Sequence, residues 1–199
     1  LSRLALGVAR HNGWAWFVTV ASRGTDFEVV DRRRVELIDA DQPKQPYHHE
    51  ALRISAAEAK RLLDAVHDSV HRCTARALGE TLSALGDHGE VDLLAIDGPP
   101  RRPVPEDLEE ILASHQIVHT ADGELYRSII VAEAIAQGLG VFEAPRGKAF
   151  SIAAEALGLT AMQIETLAGE LGKPLGAPWR KEHRAATALA VTALALDER

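Results

Sequence analysis

The sequence predicts an α/β protein: a mixed five-stranded sheet, an antiparallel β1-β2-β3 meander followed by two helically connected strands, with helices on both faces. Three observations carry that prediction. Residues 1–38 alternate like a meander of short strands. Residues 91–97 and 139–143 are nearly continuous apolar runs, as strands buried on both faces are. The segments around them have helical periodicity and enough length to cross between parallel strands.

The elements follow in order. Leu4–Ala9 is the first strand, and His11-Asn12-Gly13 supplies a turn, since Asn-Gly tolerates the positive φ angles of a tight hairpin. Trp14–Val20 returns as the second strand. Ser22-Arg23-Gly24-Thr25 turns the chain again, and Phe27–Leu37 is the third strand. Strict alternation puts Val29, Asp31, Arg33 and Val35 on one face of it and Val30, Arg32 and Arg34 on the other, a polar composition that suits a sheet edge. A loop, Asp39–Glu50, carries Pro43 and Pro46. Ser55 and Glu58 form a capping box that opens a helix running to about Leu85, with Leu63, Val66, Val70, Cys73 and Ala77 as its apolar stripe. Val91–Asp97 is the buried central strand, stopped by Gly98-Pro99-Pro100. Pro105 starts a short helix through Ala113, and another helix spans Glu124 to Gln137. Leu139–Glu143 is the last strand. Two helices close the chain: one capped by Thr160 and Gln163 and ended by Gly172, the other spanning Lys181 to Leu196.

At 199 residues the chain fits one domain, 1–199, with 46% hydrophobic and 26% charged residues. A net charge of −7 argues against sequence-independent duplex binding, although a local groove on an acidic protein can still be positive. No apolar run approaches the roughly 18–20 residues that cross a bilayer, so no membrane partner is expected. No secretory signal opens the chain, and Leu1 in place of an initiator Met suggests a missing short leader or tag. A lone cysteine, Cys73, excludes an internal disulfide framework and fits a reducing compartment. The expected location is the cytoplasm.

This element order resembles the ribonuclease H-like fold and, within it, the Holliday-junction resolvase group. The passage from Ala132 through Glu143 to Pro145 is similar to that group's helix-to-strand-to-proline segment, and His183–Ala190 to its alanine-rich closing helix. Asn12-Gly13-Trp14-Ala15, Val29–Arg33 and Pro178–Arg184 also resemble passages in uncharacterised actinobacterial-type proteins, a likeness that implies no activity. The resolvase resemblance implies carboxylates at strand tips holding two Mg²⁺ or Mn²⁺ ions about 3.5–4 Å apart. It places the first carboxylate on the first strand, where this chain has Ala9 beside Arg10. Asp97, Glu143, Glu182 and His183 stand at matching later positions, with Asp31 as a substitute acid.

Two readings result. In the first, the chain keeps the scaffold without the standard two-metal site and binds a ligand or partner at the Asp97 edge. In the second, it is a divergent nuclease acting on nucleic acid, with Asp97, Glu182 and His183 catalytic and Asp31, Asp97 and Glu143 holding metal. The missing acid separates them and favours the first. A nucleotide-dependent phosphotransferase of the same fold lacks the same acid.

Other clusters have plainer accounts. His48-His49-Glu50 offers metal-ligand chemistry, but neighbours on an extended strand point opposite ways, so a solvated loop is the simpler reading. His67 and His71 share a helix face without an evident third ligand. Pro145-Arg146-Gly147-Lys148 has the cations and backbone N–H groups of a phosphate-binding turn, but not a Walker spacing. Trp14 and Trp16 share a strand face and suit packing as well as stacking on bases.

Overall fold

Three antiparallel strands open the chain in the computed structural model, which describes residues 3–24 and 26–197: β1 (Arg3–His11), β2 (Trp14–Arg23) and β3 (Asp26–Glu36). Thr25, at the end of the expected second turn, lies outside the described residues. There follow α1 (Ala56–Leu85), β4 (Glu90–Asp97), α2 (Leu108–Leu112), α3 (His115–Ala136), β5 (Gly140–Ala144), α4 (Ala149–Leu157), α5 (Ala161–Leu171) and α6 (Lys181–Asp197). The sheet order is β3-β2-β1-β4-β5, with β4 parallel to both β1 and β5. The mixed sheet expected from the sequence is present, and β1 lies at its centre.

Alternation along β1 divides the core in two. Leu4, Leu6 and Val8 face α1 and α3, where they meet Val66, Val70 and Leu78 of the first helix and Leu125, Ile129 and Ile130 of the second. Ala5 faces the other way, with Val18, Val20 and Ala95, onto Ala153 of α4 and Ala186, Ala190 and Leu194 of α6. Small side chains on this second face let α6 approach closely. At Gly7 an added Cβ would lie 2.0 Å from the Ala186 carbonyl oxygen, so the helix backbone rests directly on the strand.

Both expected capping boxes form, at Ser55/Glu58 and Thr160/Gln163. Several features depart from the sequence reading, and three concern the long elements. First, β3 carries a bulge opposite the Thr19/Val20 step, so Val29 pairs with Val20 and joins the core cluster that holds Ala5 and Val18 while Asp31 pairs with Thr19. Strict alternation had put Val29 and Asp31 on one face; the extra residue breaks the period of two. Second, α3 starts nine residues before Glu124, at His115. Gly123 and the polar run before it hide this turn, but Val118, Ala121 and Asp122 are buried and hold it. Third, Ala149–Leu157 is a helix of its own, ended by Gly158 at φ 68°. That glycine is a left-handed C-terminal stop, the signal that reveals α4. No helix among the described residues is long and apolar enough to cross a membrane.

Candidate functional site

The carboxyl ends of the parallel strands β1 and β4 open into a cleft of about 480 Å³, where an α/β sheet presents ligands to its loops. Val8, Ala9, Ala149, Phe150, Ala185 and Leu189 make it apolar inside. Its ionisable lining consists of Arg10 and His11 from the end of β1, Asp97 from the end of β4, Arg146 from the β5–α4 turn, and Lys181 and Glu182 from the first turn of α6. The sheet carries the first three to one edge. Two packing features set the others: Gly7 seats α6 on β1, and Trp179 donates its indole N–H to the Ala168 carbonyl at 2.9 Å, fixing the chain just before Lys181.

Cations prevail here. Burial, reinforced by the nearby Arg146 charge, lowers the Arg10 guanidinium to about 10, only partly opposed by Asp97 and Glu124. Among the described residues its Nε is buried without a hydrogen-bond partner, although buried polar groups normally have one. Burial raises the Asp97 carboxyl above its ordinary value, against the Gly147 N–H it accepts and the charges of Arg10 and Arg146. Glu124 is a second countercharge to Arg10, after Asp97; it pairs with the Arg127 Nε at 2.9 Å and lies 3.9 Å from Arg146. His11 stacks on Trp14 with centroids 3.9 Å apart, and its Nε2 lies 3.7 Å from Glu182.

The residues singled out from sequence divide between inside and outside. Asp97 and Glu182 line the cleft. His183 does not: it is fully buried, accepts the Arg180 N–H at Nδ1 (2.8 Å), and packs edge-on against Trp16 at 4.4 Å, with Trp179 stacked beyond. Glu143 is ion-paired with Arg127, one residue short of the β5 tip. Asp31 accepts the Arg33 Nε at 2.6 Å on β3, two strands from β1. Among the described residues, no three acids at this edge bring their oxygens within 4.8 Å of one another. With Ala9 and two guanidinium groups, Arg10 and Arg146, in the same lining, this donor set does not fit a pair of divalent ions.

Comparison with solved structures finds a Thermus thermophilus RuvC structure at a TM-score of 0.53 and 14% identity, covering 98% of this chain and 95% of that one. The chain has the ribonuclease H-like fold. A T. thermophilus RuvC in complex with a Holliday junction substrate is also similar, at a TM-score of 0.49 and 15% identity over the same shares. No family model and no curated protein matches the chain. On this ribonuclease H-like scaffold, Arg10 and Arg146 stand beside the acids, and Ala9 lies in the same cleft.

The aromatic residues fall to packing. Trp16 and Trp179 hold His183, and Arg32 lies 5.9 and 5.5 Å from their ring centroids while donating to the Pro178 carbonyl at 2.5 Å. Cys73 is buried on α1, and burial raises its thiol. His71 is tied to Glu133 of α3 at 2.7 Å. The loop at His48 differs from expectation: Pro46–Glu50 is a helical turn, so His48 and His49 do not diverge as on a strand, and their rings lie 4.4 Å apart.

Proposed function

We propose that this ribonuclease H-like chain binds a phosphate-bearing ligand in the Arg10–Arg146–Lys181 cleft and does not cleave it. The observation that carries the reading is Arg10, a guanidinium that lines the cleft with Arg146 and is held there at an electrostatic cost. A bound oxyanion supplies countercharge to this guanidinium, and charge-assisted bonds of this kind are the strong ones. The start of α4 adds to it: Lys148, the residue before the helix, gives no side-chain cap, which leaves first-turn N–H groups beside Arg146 and Gly147. The apolar lining suits a ligand with an apolar or aromatic body. On the same reading the Pro178–Arg184 passage, which resembles one in actinobacterial-type proteins, supplies Lys181 and Glu182, and the buried thiol of Cys73 suits a reducing, cytoplasmic setting.

The nuclease reading has its own support, since Asp97 and Glu182 line one cleft on a resolvase-like scaffold. Asp97→Asn separates the two. For a phosphate site, the substitution removes a repelling charge and keeps an acceptor for the Gly147 N–H. Pyrophosphate affinity, measured calorimetrically in chelator, then rises roughly fivefold, equivalent to about 1 kcal/mol. For a nuclease it abolishes Mn²⁺-dependent cleavage of branched DNA or RNA–DNA hybrids. Absence of pyrophosphate binding at millimolar concentration, with cleavage by the wild-type chain, would overturn the proposal.

Asp97 also sets a pH dependence. Its carboxyl is raised in the folded chain, so its neutral form stabilises the fold below the unfolded pKa of about 4, and that contribution is lost as pH rises through the folded value. Asp97→Asn is therefore expected to be more stable than wild type at pH 7, with the difference vanishing below about pH 4 in urea unfolding.

A further inference from the structure

Away from the cleft, the Pro46–Glu50 turn lies against the start of α3 and brings three imidazoles together. His115 and His119 stand one helical turn apart on one face of α3, and His48 reaches them from the turn. One ring nitrogen from each lies within 4.8 Å of the others, and the Nε2 atoms of His48 and His115 are 3.2 Å apart. Nitrogens bound 2.0–2.1 Å from a tetrahedral zinc ion are about 3.3 Å apart, so this pair already has the spacing of two ligands. The His48 and His119 rings have centroids 4.1 Å apart.

The arrangement is anchored independently of the imidazoles. Asp122, fully buried one turn beyond His119, accepts the backbone N–H groups of Tyr47 and His48 at 3.0 and 3.3 Å. One turn further, the Tyr126 hydroxyl donates to the Lys44 carbonyl at 3.0 Å. These bonds hold the His48 backbone against α3, so much of the ordering needed for binding is already present. The rings have no evident use as a packing cluster, because His115 and His119 are exposed.

We infer that His48, His115 and His119 form a binding site for one divalent transition-metal ion. Three neutral imidazoles suit Zn²⁺, Ni²⁺ or Co²⁺ rather than Mg²⁺ or Ca²⁺, which prefer oxygen, and they leave a fourth position open to water or another ligand. The site is distinct from the anion cleft and does not rest on it.

The full-length chain, stripped with chelator, is titrated calorimetrically with ZnCl₂, and Co²⁺ binding is followed by its visible absorption. One equivalent is expected at low-micromolar affinity or better, with a Co²⁺ spectrum of nitrogen ligands in low coordination. His115→Ala and His119→Ala, both at exposed positions, should each weaken binding roughly tenfold or more, while the His67→Ala/His71→Ala double variant on α1 leaves it unchanged. Sub-stoichiometric binding, or equal affinity in His115→Ala and wild type, would overturn the assignment.

Discussion

Replacing Arg10 by methionine is expected to make the protein more stable and to remove most of its affinity for pyrophosphate. The depression of this guanidinium to about 10 corresponds to roughly 3 kcal/mol against the charged form. At pH 7 the group is charged whether folded or unfolded, so that amount is a net cost to the fold, reduced by partial solvent access. The sign follows from linkage: a lowered folded pKa gives stability at high pH that is lost as pH falls through about 10. Methionine keeps the stem and removes the charge. Such replacements at buried ionic positions often gain about 1–4 kcal/mol; a gain near 1–2 kcal/mol here is a melting-point rise of roughly 3–6 °C. Binding moves the other way, because a charge-assisted contact is worth about 1.5–3 kcal/mol, a loss of roughly 10- to 100-fold. Opposite changes in stability and affinity are what a strained binding group gives. Differential scanning calorimetry and pyrophosphate titration read both; lower stability with unchanged affinity would make Arg10 a structural residue.

Gly7→Ala should have the largest effect on stability. The new methyl would fall 2.0 Å from the Ala186 carbonyl oxygen, and a backbone atom cannot rotate away as a flexible side chain can. Either α6 lifts from β1 or the strand bends, at a cost of about 1–3 kcal/mol or more. Because Lys181 and Glu182 ride on the first turn of α6, pyrophosphate affinity should fall as well. Gly169→Ala is the matching control. It lies inside α5 with nothing within 4 Å of its added Cβ, and alanine there should gain about 0.5–1 kcal/mol. Guanidinium unfolding of the two variants should therefore shift in opposite directions. A neutral Gly7→Ala would mean that α6 is not seated as described.

These cases also show how far the sequence could be read. The meander, the capped helices and the buried strand at Val91–Asp97 follow from local periods and caps, which nearest neighbours determine. The bulge in β3 does not, because it is set by pairing across strands rather than by composition along one. The beginning of α3 was hidden for a related reason: Asp122 and Gly123 weaken helix propensity, but Asp122 is buried where it accepts two N–H groups from a loop some 75 residues earlier in the chain. Asp97 and Glu182 were read as neighbours at one edge because strand tips and helix starts converge there in any such sheet. The resolvase resemblance points to His183 together with Glu182 at the start of the last helix, yet successive helical residues point about 100° apart, and the imidazole turns into the tryptophans. The His115/His119 spacing is visible in the sequence, but its partner His48 is 67 residues away and is brought near only by the folded loop.

Whether this cleft holds an anion or a pair of metal ions is decided by a crystal structure of the protein grown with pyrophosphate and Mn²⁺ together. Pyrophosphate oxygens are expected within about 3.2 Å of the Arg10 and Arg146 guanidinium groups, with Glu182 free of metal. Two Mn²⁺ ions bridged by Asp97 and Glu182, with Arg10 displaced from the cleft, would contradict it.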